Sequence, residues 1–341
     1  MSRAPSSNTS SMSLAPLLVA LLALAVFPLL VKGFYVELIA KIMILSVFAL
    51  SLELLAGTTG LVSLGHAAYF GIAAYVAALL GQQDVTSLPL MLGASMLAAA
   101  AYALVSGALA LRTSGVYFIM VTLAFGQMAY FVFHDTGVGG GSDGIYLNSK
   151  PSLSLGSLQL LDLDKPLVFY WFVLGCLVFT YAFLALLARS RFGHALAGIR
   201  VNEQRMRAVG FTPYTYKLTA FVIAGALAGL GGFLFALKDG FVNPELLSWH
   251  QSGAVLIMII LGGLGRLRGA VIGAFVFVLL QELFQSQAVF GKFAKHWQLL
   301  LGLTIIACVA LMPQGIAGLP AQLAARRAAR KARPDARTEA A

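Results

Sequence analysis

Charge is scarce in this sequence: Asp, Glu, Lys and Arg make up 11% of its 341 residues, against about 25% in an ordinary soluble domain. A water-soluble globule of this length cannot hide a composition that is 60% hydrophobic, because too much apolar area would stay at its surface. Cysteine is scarcer still. Cys176 and Cys308 both stand inside apolar runs, which excludes a disulfide framework and reads as small packing residues. No Gly-x-x-x-x-Gly-Lys-Ser/Thr loop occurs, so the chain does not bind ATP by that route. The formal charge of +10 comes without zinc-ligand spacing or a basic stripe on a soluble domain, which argues against nucleic acid as a partner. Positive charge that fixes membrane orientation is the plainer reading. A nucleophile–base pair or metal constellation is also wanting, so the chain reads as no enzyme.

Long apolar runs are what the chain does have. About ten recur, at 14–31, 36–55, 60–80, 88–111, 115–133, 167–188, 218–237, 251–265, 269–285 and 297–312. A helix needs roughly 20 apolar residues to cross a hydrocarbon core about 30 Å thick. Backbone left unpaired in lipid is too costly for anything but helices or a closed barrel, and continuous rather than alternating runs select helices. The expected fold class is therefore all-α, a polytopic transmembrane helical bundle of about ten spans. The small-x-small triplet Ala23-Leu24-Ala25 lies inside the first run rather than after it, which favours an uncleaved span over a signal peptide. A polar N-terminal arm, 1–13, precedes the membrane domain, 14–320. The tail, 321–341, holds many Ala, Arg and Lys and few large apolar residues, a composition that predicts disorder.

Arginine placement gives an independent check on the span count, because Lys and Arg concentrate on the cytoplasmic side. Two connections are long, 134–166 and 189–217. With 189–217 and the C-terminus inside and the ten spans alternating, Arg3, Arg112, Arg189, Arg191, Arg200, Arg205, Arg207, Arg266, Arg268 and the tail all fall inside. Loop 134–166 is then external. Lysines such as Lys150, Lys165, Lys238, Lys292 and Lys295 face outward, interleaved with acidic residues. Both termini are expected in the cytoplasm. Residues 251–285 read as two short spans joined by the Gly265–Gly269 turn, since one long helix would bury Arg266 and Arg268 at about 2.5 to 3.5 kcal/mol each.

Within the cytoplasmic connection, 195–209 is amphipathic. Leu196, Ile199, Met206 and Val209 share one side, and Arg200, Glu203, Gln204 and Arg207 another, at spacings that allow ion pairs. Gly210 supplies a C-terminal stop and Pro213 prevents continuation. A short helix across the cytoplasmic face follows. Periodicity alone fits a helix resting on lipid equally well.

Here the residues carry a resemblance. Gly193-His-Ala-Leu, Ile199-Arg-Val-Asn-Glu203 and Ala208-Val-Gly210, followed by Lys217-Leu-Thr-Ala-Phe221 and Ala228-Gly-Leu-Gly-Gly232, resemble the LivM-type permeases of branched-chain amino-acid ABC importers. Gly57-Thr-Thr-Gly60-Leu-Val-Ser63-Leu-Gly65-His66 is similar to that family's early glycine–serine–histidine block. Leu111–Tyr117, Thr122–Phe125, Gly141–Gly144, Leu261–Gly265 with Gly269, and Met312–Gly318 resemble later blocks in the same order. The likeness covers roughly 45–320, and several ordered blocks are far more specific than one motif. Gln204, Arg205 and Arg207 depart from it, standing where the family tends to carry small or aliphatic residues.

The resemblance implies a division of labour in a bacterial cytoplasmic membrane. Arg200, Asn202, Glu203 and Gly210 would belong to a coupling helix that docks into a separate ATPase. The chain itself would hold no cofactor, ATP being bound by partner subunits. Its expected partners are a homologous second permease, two ATPases, an external solute-binding protein and membrane lipid. The implied cargo is a branched-chain or other hydrophobic amino acid. Urea or a short amide carried by the same machinery is the near alternative, and an ion-coupled secondary transporter using Glu53 or Glu282 is the alternative of another class.

Clustered glycines interrupt apolar helix at Gly57, Gly60 and Gly65 and again at Gly262, Gly263, Gly265 and Gly269. Paired interruptions of this kind point to a transport path in secondary transporters. The plainer reading is close helix packing, as at Gly225-x-x-x-Gly229. On the first reading Gly57, Gly60, Ser63, Gly65, His66, Thr122, Gly262 and Gly263 line or border the path. His66 reads as a hydrogen-bonded packing residue rather than a metal ligand, with no second His or Cys at ligand spacing. Gly139–Gly144 satisfies Gly-x-Gly-x-x-Gly but lacks a strand–turn–helix setting, so it reads as a flexible external loop near a binding-protein surface.

Overall fold

The computed structural model describes residues 15–31, 33–155, 158–312 and 314–319. The expected arm at 1–13 and basic tail at 321–341 lie outside the described residues.

Apolar runs become helices almost throughout: α1 (Ala15–Leu30), α2 (Phe34–Glu53), α3 (His66–Gln82), α4 (Leu88–Ala110), α5 (Val116–Asp135) and α6 (Pro166–Arg189). They continue as α7 (Arg191–Val201), α8 (Glu203–Ala208), α9 (Pro213–Asp239), α10 (Trp249–Gly262), α11 (Leu267–Gln285), α12 (Gln287–Phe290) and α13 (Trp297–Leu311). Seven helical stretches among the described residues are long and apolar enough to cross a membrane. The protein is thus an all-α polytopic membrane protein. The other three expected spans, on α1, α3 and α10, are helices of 16, 17 and 14 residues. At 1.5 Å per residue these reach only about 21 to 26 Å, short of a core about 30 Å thick.

Helices α2 and α9 form the axis of the bundle and are buried nearly all round, with α3 packed against both. Phe48 and Phe70 meet at 4.6 Å between ring centroids, and Tyr69 meets Phe221 edge-on at 5.7 Å. Lipid tails are as apolar as leucine, so helices associate in a membrane through close packing rather than through expulsion of water. Small residues permit that approach. A Cβ on Gly232 would strike the Phe70 backbone, and one on Gly229 would lie 2.7 Å from the Ala99 methyl. Outer helices α4, α5 and α13 carry exposed apolar side chains, among them Leu97, Tyr117, Phe131 and Ile306.

Two boundaries differ from the expected ones for a physical reason. The second helix does not stop near 55 but continues as a π-helical turn, Leu54–Thr59, which Gly60 closes at φ +75. In consequence the third helix starts at His66 rather than 60, leaving 60–65 as irregular chain. The amphipathic segment 195–209 is not one helix. Asn202 adopts extended backbone (φ −157) and its side chain accepts from the Arg205 amide at 2.8 Å, ending α7 and capping α8. By contrast 251–285 forms the two helices expected, with Arg266 and Arg268 at the turn.

The bundle has two ends of distinct character. At one end the chain between α5 and α6 adds β1 (Ile145–Tyr146), which pairs antiparallel with β4 (Phe241–Val242) just after α9. A hairpin of β2 (Ser152–Leu155) and β3 (Leu158–Asp162) also lies in this connection, and Ser149 donates to the Gly81 carbonyl at the end of α3. The opposite end gathers the π-helical turn, α7, α8, the start of α9 and the α10–α11 turn. There Tyr214 at the head of α9 donates to the Ala108 carbonyl near the end of α4.

Candidate functional site

Both glycine interruptions meet at that second end. Arg200 on α7 donates to the Gly57 carbonyl in the π-helical turn, and its alkyl stem passes beside Gly60, where a Cβ would lie 3.5 Å from it. Glu53, at the end of α2, is buried, and its Oε1 accepts from the Gly265 amide at 2.6 Å. The Arg266 amide also faces this carboxylate. Glu53 therefore sits at the N-terminus of α11, where unsatisfied amides favour an anion. Its Oε2 has no partner among the described residues.

Backbone packing explains why glycine is needed here. A Cβ on Gly57 would fall 2.6 Å from the Glu53 carboxyl carbon. One on Gly262 would strike the Gly269 carbonyl, and one on Gly263 would strike Gln314 just after α13. Gly263 and Gly265 also have φ of +111 and +87, where L side chains are strained. The four strands of chain near 57, 200, 263 and 315 thus form one junction. Of the residues singled out in the sequence, Gly57, Gly60, Arg200, Gly262 and Gly263 are brought together by it.

Asn202, Glu203 and Gly210 are not part of that junction; they shape α8. Glu203 accepts from Arg207 at 2.6 Å and from Lys217 at 2.5 Å, while the expected pairing at Arg200 gives way to the Gly57 contact. Its hydrogen bond to Lys217 holds the Glu203 carboxyl below the ordinary carboxylate range, partial burial opposes this, and Arg207 adds to it. Gly210 ends the segment at φ +92, as its position implied. On the apolar side Leu196 and Ile199 are buried and Met206 is half-buried against Gly198, but Val201 and Val209 stand exposed at 83% and 70%.

Ser63, Gly65, His66 and Thr122 form a second, deeper group. Ser51 donates to the Phe48 carbonyl at 2.7 Å and lies 2.9 Å from His66 Nε2. With the Ser51 proton on the Phe48 carbonyl, His66 donates through Nε2 and Nδ1 is left as an acceptor. That Nδ1 and the Ser63 hydroxyl have no partner among the described residues. Thr122 accepts from the Leu64 amide at 3.3 Å, and a Cβ on Gly65 would strike the Thr122 carbonyl. Ser252 on α10 accepts from the Ala67 amide at 2.9 Å. All of Ser63, His66 and Thr122 are buried inside the bundle. Ser51 and Ser252 carry no motif, and only the fold reveals them.

Two other candidates fall away from both groups. Gly139–Gly144 folds as two consecutive 3-10 turns leading into β1, without a helix after them to receive a phosphate. Glu282 is half-buried near the end of α11, away from Glu53 at that helix's start.

A family model described as "Branched-chain amino acid transport system / permease component" matches residues 34–309. The chain is 32% identical to the high-affinity branched-chain amino acid transport system permease protein LivM of Escherichia coli K12, over 92% of this chain and 77% of that protein. Against the LivM of Salmonella typhimurium it is 31% identical over the same shares. It is also 32% identical to the autoinducer 2 import system permease protein LsrC of Escherichia coli O9:H4, over 34% of this chain and 36% of that one. No solved structure gives a significant match.

Proposed function

The chain belongs to the permease family of branched-chain amino acid transport systems, and from that premise we propose that it is the membrane-spanning subunit of an ATP-binding-cassette importer for branched-chain or other hydrophobic amino acids. It works in the cytoplasmic membrane as a non-catalytic partner of two separate ATPases, a second homologous permease and an external solute-binding protein. ATP is bound by the ATPases, and this chain needs no cofactor of its own.

The single observation that carries the mechanism is Arg200 reaching from α7 to the Gly57 carbonyl. A push on α7 and α8 acts directly on the break in the second membrane helix. Exposed Val201 and Val209 beside the Asn202 bend give a separate subunit apolar surface to hold. Glu203 fastens α8 to α9 through Lys217, so the push is not absorbed within the loop. On this reading Ser63, His66 and Thr122, with their buried polar atoms, border the path beyond the junction.

Ten spans with both termini cytoplasmic are part of the same reading. Alternation is supported by which element ends meet: 108 with 214, 57 with 200 and 265 at one end, and 81 with 149 and 145 with 242 at the other.

Proteoliposomes holding the chain, its neighbouring permease, the ATPases and the binding protein test the proposal. Labelled leucine should enter only when ATP is supplied at the ATPase face. Urea entering instead would change the cargo and keep the machine. Uptake that ignores ATP and follows a proton or sodium gradient would overturn it.

A further inference from the structure

Glu53 is the one buried carboxylate among the described residues, and the coupling reading through Arg200 does not use it. Its position is nonetheless specific. It lies one turn before Gly57 on the same helical column, so the Glu53 side chain and the Gly57 carbonyl leave α2 at neighbouring levels. One is held by the Gly265 amide and the other by Arg200. Gly57 has no side chain, which is what lets the carboxylate lie flat beside the π-helical turn. A buried carboxylate costs a great deal unless its hydrogen bonds are met. Here Oε1 is held by the Gly265 amide just before α11, a helix from the far half of the sequence, while Oε2 has no partner among the described residues.

We propose that Glu53 is a positioning residue that fastens the α10–α11 turn to the π-helical turn, so that one movement of α7 shifts both glycine breaks together. The inference rests on the reading of α7 and α8 as the ATPase-driven element. Arg200 grips the first break, and Glu53 passes the displacement to the second. Without Glu53 the first break follows α7 while the Gly262–Gly269 turn lags, and hydrolysis is no longer matched to opening. The π-helical turn suits this role, because its extra residue per turn strains the hydrogen-bond ladder and such turns cluster at functional sites.

The test measures leucine imported per ATP hydrolysed in the assembled complex. In Glu53→Ala this ratio should fall about tenfold or more, the loss expected when a buried amide is left without its acceptor, while hydrolysis and assembly persist. Glu53→Gln keeps an acceptor oxygen for the Gly265 amide and should retain most of the ratio. Combining Glu53→Ala with Arg200→Ala should be no worse than the poorer single variant, since both sit in one linkage. If Glu53→Ala does not assemble, Gly57→Ala, which displaces the carboxylate without removing it, should give the same loss. A normal ratio in Glu53→Ala, or losses that multiply in the double variant, would overturn the proposal. Absence of ATP-driven import in the parent complex would instead overturn the coupling reading on which it rests.

Discussion

Glu53 and Gly265 are 212 residues apart in sequence and 2.6 Å apart in space, carboxylate oxygen to backbone amide. Their contact joins an interrupted helix of the first half to an interrupted helix pair of the second. It can form only if α10 and α11 close tightly at their turn. Glycines make that closure possible: a Cβ on Gly262 would strike the Gly269 carbonyl, and one on Gly273 would strike the Met258 carbonyl.

Substituting those glycines should therefore be costly. Gly262→Ala and Gly273→Ala should each destabilise the protein by about 1–3 kcal/mol or more, the usual penalty of overpacking. Gly253→Ala, on the same helix pair but with open space beside it, should be near neutral or slightly stabilising. Thermal unfolding of the three variants in detergent gives the comparison. Equal midpoints for all three would show that the backbone approach is not this close.

The bend at Asn202 depends on one side chain. Asn202→Ala removes the acceptor for the Arg205 amide and should cost about 1 kcal/mol, the typical worth of an N-cap. Hydrogen exchange at the Arg205 amide should quicken, with α7 amides unchanged. Asn202→Asp should retain protection, since Asp caps equally well.

Acid should loosen α8 in a defined window. The Glu203 carboxyl titrates below its ordinary value of 4.5, chiefly through the Lys217 hydrogen bond. A depressed folded pKa contributes stability that is complete above the unfolded value and lost as pH falls through the folded one. A spin label at exposed Gln204 should thus keep constant mobility from neutral pH down to about 5, then gain mobility below the ordinary carboxylate range. In Glu203→Gln the acid transition should vanish. Gain of mobility between pH 6 and 7 would point to another group.

The deeper polar group makes a separate prediction. Ser63→Ala, His66→Ala and Thr122→Ala should each reduce uptake while the complex still assembles. His66→Ala should be the most damaging, because it also leaves a cavity between Phe48 and Tyr69, whose rings stand 5.6 and 5.4 Å from the imidazole. Normal uptake by all three variants would remove this group from the path.

How much of this was legible in the sequence follows from which interactions are local. The apolar runs, the Gly210 stop and the split of 251–285 all depend on neighbours within a turn or two and are readable, whereas α9 starts at Pro213, five residues before the expected 218. The π-helical turn is not readable, because Leu-Leu-Ala-Gly-Thr-Thr reads equally well as a fraying α-helical end; only the Gly60 closure marks where it stops. The Asn202 bend was hidden by amphipathic spacing that runs across it, although a capping residue at that point was a signal. Glu53 reads as an intramembrane acid, but an interfacial position looks the same in sequence as a buried one. Its partner is a backbone amide, and Ser252 likewise holds the Ala67 amide; side-chain motifs do not record such bonds.

The most direct test of the account is leucine uptake by the reconstituted complex with ATP supplied or withheld, run for the parent and for Arg200→Ala. The expected result is no uptake without ATP, robust uptake with it, and in Arg200→Ala continued hydrolysis with uptake down about tenfold, as the charged contact to Gly57 is lost. Parent uptake that proceeds without ATP, or an Arg200→Ala complex that imports as well as the parent, would contradict it.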